Sequence, residues 1–148
     1  MTTKIDGYEM PEELYYHKEH TWARVEYKKV KIGVTDYSQK SAGDIVYVDL
    51  PFEGDEVKQD EPFGKMQSAK WIGELYSPIS GRIVAVNDIL NSKPTTINQS
   101  PYESGWIIAV QPANLEEELK NLLNGEAAVA WIKEQIKKAE AEGYAVKE

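Results

Sequence analysis

A chain of 148 residues, 41% hydrophobic and 28% charged, can bury one core without disulfide or metal staples and has the composition of a globular protein. The formal charge of −8 repels polyanions on balance, so nucleic acids and anionic lipid surfaces are excluded as expected partners. With no cysteine in the sequence, a disulfide framework and thiolate metal ligation are ruled out. No apolar run approaches the ~18–20 residues that span a bilayer. Residues 1–20 lack the apolar segment of a signal peptide, so the expectation is a cytoplasmic chain that does not enter a membrane.

In chain order, residues 1–13 are polar, contain Gly7 and Pro11, and predict an irregular lead-in. Trp22–Tyr27 and Val30–Val34 alternate apolar and polar side chains and predict two half-buried strands joined by a turn at Lys28-Lys29. Thr35 is a candidate N-cap and Gly43 a C-cap for a two-turn helix. A strand follows over Asp44–Leu50 and a short one at Glu56–Lys58. Two more runs, Pro62–Ala69 and Trp71–Tyr76, flank Lys70 as the arms of a hairpin. After the turn Ser77-Pro78-Ile79-Ser80-Gly81 comes another alternating run, Arg82–Val86. Residues 88–101 are polar, contain Asn91, Pro94 and Pro101, and predict a long loop. Trp106–Gln111 predicts the last strand. Asn114 is a candidate cap for a helix over Leu115–Leu123, and Glu126–Glu142 predicts a second helix with Val129, Ile132 and Ile136 on one face. Gly43–Asp49 and Gly81–Asn87 share the pattern G-x-I-V-x-V-[DN], which points to two like halves. The expected organisation is a lead-in over 1–13, a β domain over 14–112 and a helical segment over 113–148.

Chemistry of an enzyme is thin in this sequence. There is no G-x-S-x-G, P-loop or dinucleotide fingerprint. His17 and His20 are the only histidines, and a zinc site would need carboxylates from elsewhere. The plain expectation is that His20 packs beside Trp22 while His17 is solvated. The expectation is therefore a non-catalytic protein without a metal.

Lys70 stands out by its surroundings. It lies between two strand-like runs, and Gly81 of the Ser-Pro-x-x-Gly return turn falls eleven residues later. This spacing resembles the lipoyl and biotinyl carrier domains. Biotinyl domains usually flank the lysine with methionines; here Ala69 and Trp71 flank it, which favours lipoyl. From Leu14 to Leu123 the sequence resembles the glycine cleavage system H protein family. The resemblance rests on His20-Thr21-Trp22, Ile32–Asp36, Gly43–Pro51, Glu61–Gly64, Gln67-Ser68-Ala69-Lys70, Tyr76–Gly81, Asn98–Tyr102 and Gly105-Trp106.

The resemblance implies a mainly β, barrel-sandwich hybrid lipoyl-domain fold with short helices and a C-terminal helical segment. It implies a carrier, not an enzyme, with lipoate covalently bound to Lys70 through an amide. Such an arm, about ten single bonds at ~1.5 Å, reaches on the order of 14 Å. It would shuttle an aminomethyl group between glycine cleavage enzymes. The implied partners are a lipoate-attaching enzyme and the P, T and L proteins of that system, with the chain acting as a monomer. Residues expected to touch the arm or a partner are His20, Thr21, Gln67, Ser68, Trp71 and Glu74.

Three positions depart from the family pattern. Gln67 stands where a glutamate usually precedes the lysine by three. Thr21 stands where a glutamate usually precedes the tryptophan and meets the cationic loaded arm. Glu74 replaces the family's other carboxylate near the arm. These changes also resemble the H-like lipoate-binding proteins of a heterodisulfide-reductase-like sulfur oxidation pathway, in which the cargo would be sulfur. An unmodified adaptor whose Lys70 stays bare is the alternative from another class.

Overall fold

The computed structural model describes residues 2–69 and 71–141. Lys70 and the end of the C-terminal tail lie outside the described residues. The chain is mainly β. A six-stranded sheet has the order β3-β4-β5-β11-β10-β7, from Tyr15–Tyr16, Thr21–Glu26, Lys29–Val34, Ile108–Pro112, Gly81–Val86 and Glu56–Val57. A three-stranded sheet has the order β6-β8-β9, from Ile45–Asp49, Pro62–Ser68 and Ile72–Tyr76. All pairings are antiparallel. The β4–β5 turn falls at Tyr27-Lys28, one residue before the expected place.

The main core lies between the sheets. Ile32, Val34, Ile83, Ile108 and Val110 from the large sheet meet Ile45, Val48, Met66 and Leu75 from the small one, all buried. Helix α1, Asp36–Ala42, links the two sheets as expected. The Thr35 hydroxyl accepts the Ser38 N–H at 3.1 Å, and Gly43 caps the other end with φ 84°.

The two copies of G-x-I-V-x-V sit in different sheets, as β6 and β10. Each carries a register break at the same point of the pattern, between Ile45 and Tyr47 in one and between Ile83 and Ala85 in the other. A bulge inserts one unpaired residue and turns it outward. Val46 and Val84 are accordingly exposed while Ile45 and Ile83 are buried.

Residues expected to form an irregular lead-in instead make a hairpin, β1 Thr2–Ile5 with β2 Tyr8–Pro11. Asp6 and Gly7 both have positive φ, 51° and 89°, as a tight two-residue hairpin turn requires. Ile5, Tyr8 and Met10 enter a second core with Leu14, Tyr16, Trp22, Tyr102, Ala128, Ile132 and Ile136. That core is closed by helix α5, Gly125–Ala141.

Two further expectations are corrected. The long loop over 88–101 contains two single-turn helices, α2 Ile89–Ser92 and α3 Thr96–Gln99, which bury Leu90 and Ile97; four residues are too few for a periodic signal. The helix expected over Leu115–Leu123 stops as α4 at Leu119, and Asn114 makes no side-chain cap. Leu123 leaves the helix to pair with Tyr16, each N–H donating to the other's carbonyl at 2.7 and 2.9 Å.

Candidate functional site

The β8–β9 hairpin pairs Met66 with Gly73 and Gln67 with Ile72. Past the last pair the Ser68 N–H donates to the Trp71 carbonyl at 2.8 Å. Ala69 and Lys70 are the two residues of the chain between those groups. The return turn is rigid for local reasons. The buried Ser77 hydroxyl donates to the Ile79 carbonyl at 2.6 Å, and Ile79 is fully buried. At Gly81 a Cβ would overlap the Gln111 carbonyl, so this position takes only glycine without backbone movement.

Beside the hairpin lies a groove of about 770 Å³. Val34, Ala42, Met66, Leu75 and Ala139 give it an apolar lining; Tyr37, Trp71 and Tyr76 add aromatic faces; Glu19 and Glu74 bring two carboxylates. β9 is an edge strand of the small sheet, and its residues Gly73, Glu74, Leu75 and Tyr76 form one side of this groove. The Trp71 indole lies where a side chain on Gly73 would be, since a Cβ there would overlap the ring. Glycine at 73 therefore makes room for the tryptophan, which stays half-exposed at 42%.

The expected contact residues divide. His20, Trp71 and Glu74 line the groove. Thr21 is buried, and its hydroxyl donates to the Tyr76 carbonyl at 2.8 Å, so its role is to tie β4 to β9. Gln67 is exposed between Tyr47 and Ile72, its cross-strand neighbours. Ser68 is buried at the base of the tip.

Both histidine expectations are corrected. His17, expected to be solvated, is buried; its Nδ1 accepts the Glu19 N–H at 3.0 Å, so Nε2 carries the proton and donates to Asp60 at 2.6 Å. His20 does not pack beside Trp22. Its ring lies between Tyr37 and Trp131, with centroids 4.9 and 4.7 Å away. Desolvation lowers its pKa to about 4. Its Nδ1 is buried and has no hydrogen-bond partner. The ring belongs to a longer series, because Tyr8 packs edge-on against Tyr37 at 5.0 Å and Trp131 faces Tyr16 at 6.3 Å.

Sequence reasoning missed Glu19 and Tyr37 as groove residues. Tyr37 is hidden inside a short helix. Glu19 reaches the site through a turn in which His20 has φ 70° and its N–H donates to the His17 carbonyl; periodicity carries no sign of such a turn.

A family model described as glycine cleavage H-protein matches residues 14–135, a span that leaves out the β1–β2 hairpin. The glycine cleavage system H protein of Geobacillus thermodenitrificans is 51% identical over 124 residues, covering 84% of this chain and 97% of that protein. The protein of the same name from Anaeromyxobacter sp. strain K is 45% identical over 127 residues, covering 86% and 98%. The crystal structure of a glycine cleavage system H protein from Mycobacterium marinum superposes with a TM-score of 0.71 at 30% identity, over 85% of this chain and 98% of that one. A matched family segment, near-full-length relatives and a shared fold agree, and the chain belongs to the glycine cleavage H-protein family.

Proposed function

We propose that this chain is a non-catalytic lipoyl carrier of the glycine cleavage system, with lipoate in amide linkage to the Lys70 Nζ. What supports the reading is a β8–β9 hairpin that closes from Ser68 to Trp71 beside an apolar groove, with Ala69 and Lys70 the two residues of the sequence between them. A ligase needs a protruding lysine there, and an acylated side chain reaching on the order of 14 Å needs an apolar lining to rest on. The residues present fit such a group: Val34, Met66 and Leu75 are apolar, and the Trp71 face offers a favourable sulfur–aromatic contact. When bound, lipoate supplies a disulfide–dithiol pair that undergoes exchange and bears the aminomethyl cargo. The chain's own residues present and shelter. The hairpin closes at Ser68 and Trp71 on either side of the modified position, Gly73 admits the Trp71 indole, and Tyr37 with the α5 wall shields the groove from water.

The partners in this reading are a lipoate-attaching enzyme and the P, T and L proteins of glycine cleavage. Their surfaces meet the exposed Tyr47, Gln67 and Ile72, which are cross-strand neighbours on one face of the small sheet. Intact mass of protein made in its native host tests the proposal. A lipoyl increment is expected in the unmutated chain and none in Lys70→Arg. An unmodified wild-type chain would leave the bare adaptor as the better reading.

A further inference from the structure

We infer that the β1–β2 hairpin buttresses one wall of the groove, with Tyr8 as a positioning residue that holds Tyr37 in that wall and so sets how freely solvent reaches an arm lying there. This rests on the reading of Lys70 as the arm-bearing residue. The hairpin precedes residue 14, where the matched family segment begins, so the buttress is an addition to the family fold.

The wall in question is α1. Tyr37, Ser38, Ser41 and Ala42 line the groove, four of the seven residues of that helix. A helix of two turns is too short to hold itself, so its place is set by what packs against it. On one side the Asn98 amide donates to the Gln39 side-chain carbonyl at 3.0 Å. On the other side three consecutive residues of the hairpin each hold one residue of α1. The Gly7 carbonyl accepts the Lys40 ammonium at 3.0 Å. The Tyr8 ring packs edge-on against Tyr37 at 5.0 Å. The Glu9 N–H donates to the Asp36 carboxylate at 2.9 Å. Tyr102 fastens the same seam, because its hydroxyl accepts the Asp36 N–H at 2.8 Å and donates to the Glu9 carbonyl at 2.6 Å. Lys40 in turn lies over the Tyr8 ring, 5.5 Å from its centroid, and pairs with Asp36 at 3.4 Å.

Tyr37 thus has two ring neighbours: His20 stacks on it at 4.9 Å and Tyr8 meets it edge-on. Tyr8 is buried and does not line the groove, whereas Tyr37 is half-buried and does. Tyr8 therefore acts on the groove only through Tyr37. Without the Tyr8 ring, Tyr37 keeps its stacking partner but gains a void to turn into, and the wall opens.

The test compares the wild-type chain with Tyr8→Ala, Tyr8→Phe and Met10→Ala. Met10 is buried on the same strand and does not line the groove, so its truncation is a control for loss of stability alone. In the unmodified chain, hydrogen exchange is read at the Gln39 and Gly43 amides, which bond to the Thr35 and Gln39 carbonyls at the two ends of α1. In the lipoylated chain, the rate at which tris(carboxyethyl)phosphine reduces the lipoyl disulfide is read by mass. Tyr8→Ala should hasten both roughly two- to tenfold, the change that loss of one aromatic pair corresponds to. Tyr8→Phe, which keeps the ring, should behave as wild type. Met10→Ala should lower the urea midpoint and leave the phosphine rate unchanged. The inference is overturned if Tyr8→Ala leaves the phosphine rate at the wild-type value, or if Met10→Ala raises it as much at an equal loss of stability. A chain that takes no lipoyl group would sink the reading of Lys70 and remove the phosphine readout, while exchange at α1 would still decide whether Tyr8 holds the wall.

Discussion

Burial between Tyr37 and Trp131 keeps the His20 imidazole uncharged, and this fixes a sign for acid stability. An unfolded histidine titrates near 6.5, whereas folded His20 titrates near 4. Between those values the unfolded chain takes up the extra proton, so this contribution is whole above about pH 6.5 and is lost as pH falls toward 4. The slope is about 1.4 kcal/mol per pH unit. His20→Phe keeps an aromatic ring and removes the titration. Urea unfolding at pH 7, 6, 5 and 4 should show a shallower fall in stability for the variant; parallel curves would mean that His20 is not held neutral. At this scale the sequence was only partly legible. The β8–β9 hairpin that closes at Ser68 and Trp71 follows from strand-like flanks and a fixed return turn. The burial of His17 and the setting of His20 do not, because they depend on partners distant in sequence, Asp60 for one ring and Trp131 for the other.

The β1–β2 hairpin is the element that adds most to the family segment. It packs β2 on α1 and β1 on α5, two helices that contribute to the groove. The Glu9 N–H donates to the Asp36 carboxylate at 2.9 Å, and the Tyr102 hydroxyl donates to the Glu9 carbonyl at 2.6 Å. Removing residues 1–11 exposes the second core and takes away one donor to Asp36 and the acceptor of the Tyr102 hydroxyl. Burial of Ile5 and Met10 alone contributes about 1.5–3 kcal/mol each. The truncated chain should therefore lose roughly 3–6 kcal/mol in urea unfolding, and Met10→Ala by itself about 2–5 kcal/mol. A truncated chain of unchanged midpoint would show that the hairpin is an ornament. The polar residues around Asp6-Gly7 masked the apolar face of Ile5, Tyr8 and Met10, so this stretch reads in the sequence as an irregular lead-in. The bulges in β6 and β10 show a second limit. Strict alternation reads every other residue as inward, yet Ile45 and Val48 are both buried with two exposed residues between them.

Across the whole molecule, cooperativity should follow the position of each strand. β5 and β11 lie inside the large sheet with neighbours on both sides, and their side chains Ile32, Ile108 and Val110 are fully buried or nearly so. Their amides should exchange with solvent only on global unfolding, at a free energy on the order of 5–15 kcal/mol. The single-turn helices α2 and α3 should exchange far sooner. Native-state hydrogen exchange decides this, and early exchange across β5 would refute it. The class of fold was legible from alternating runs, terminators and the dispersed family motifs. The sheet order was not, since it depends on which edges meet after the chain reverses. No helix among the described residues is long and apolar enough to cross a membrane.

The pairing of Gly73 with the Trp71 indole carries a consequence for which substitutions the chain accepts. A glycine inside a strand weakens it, so position 73 taken alone invites replacement. Any side chain there must first displace the ring two residues earlier. The two sites are therefore coupled within this chain: a side chain at position 73 should be accepted more readily once Trp71 is replaced by a smaller residue than while the indole is present.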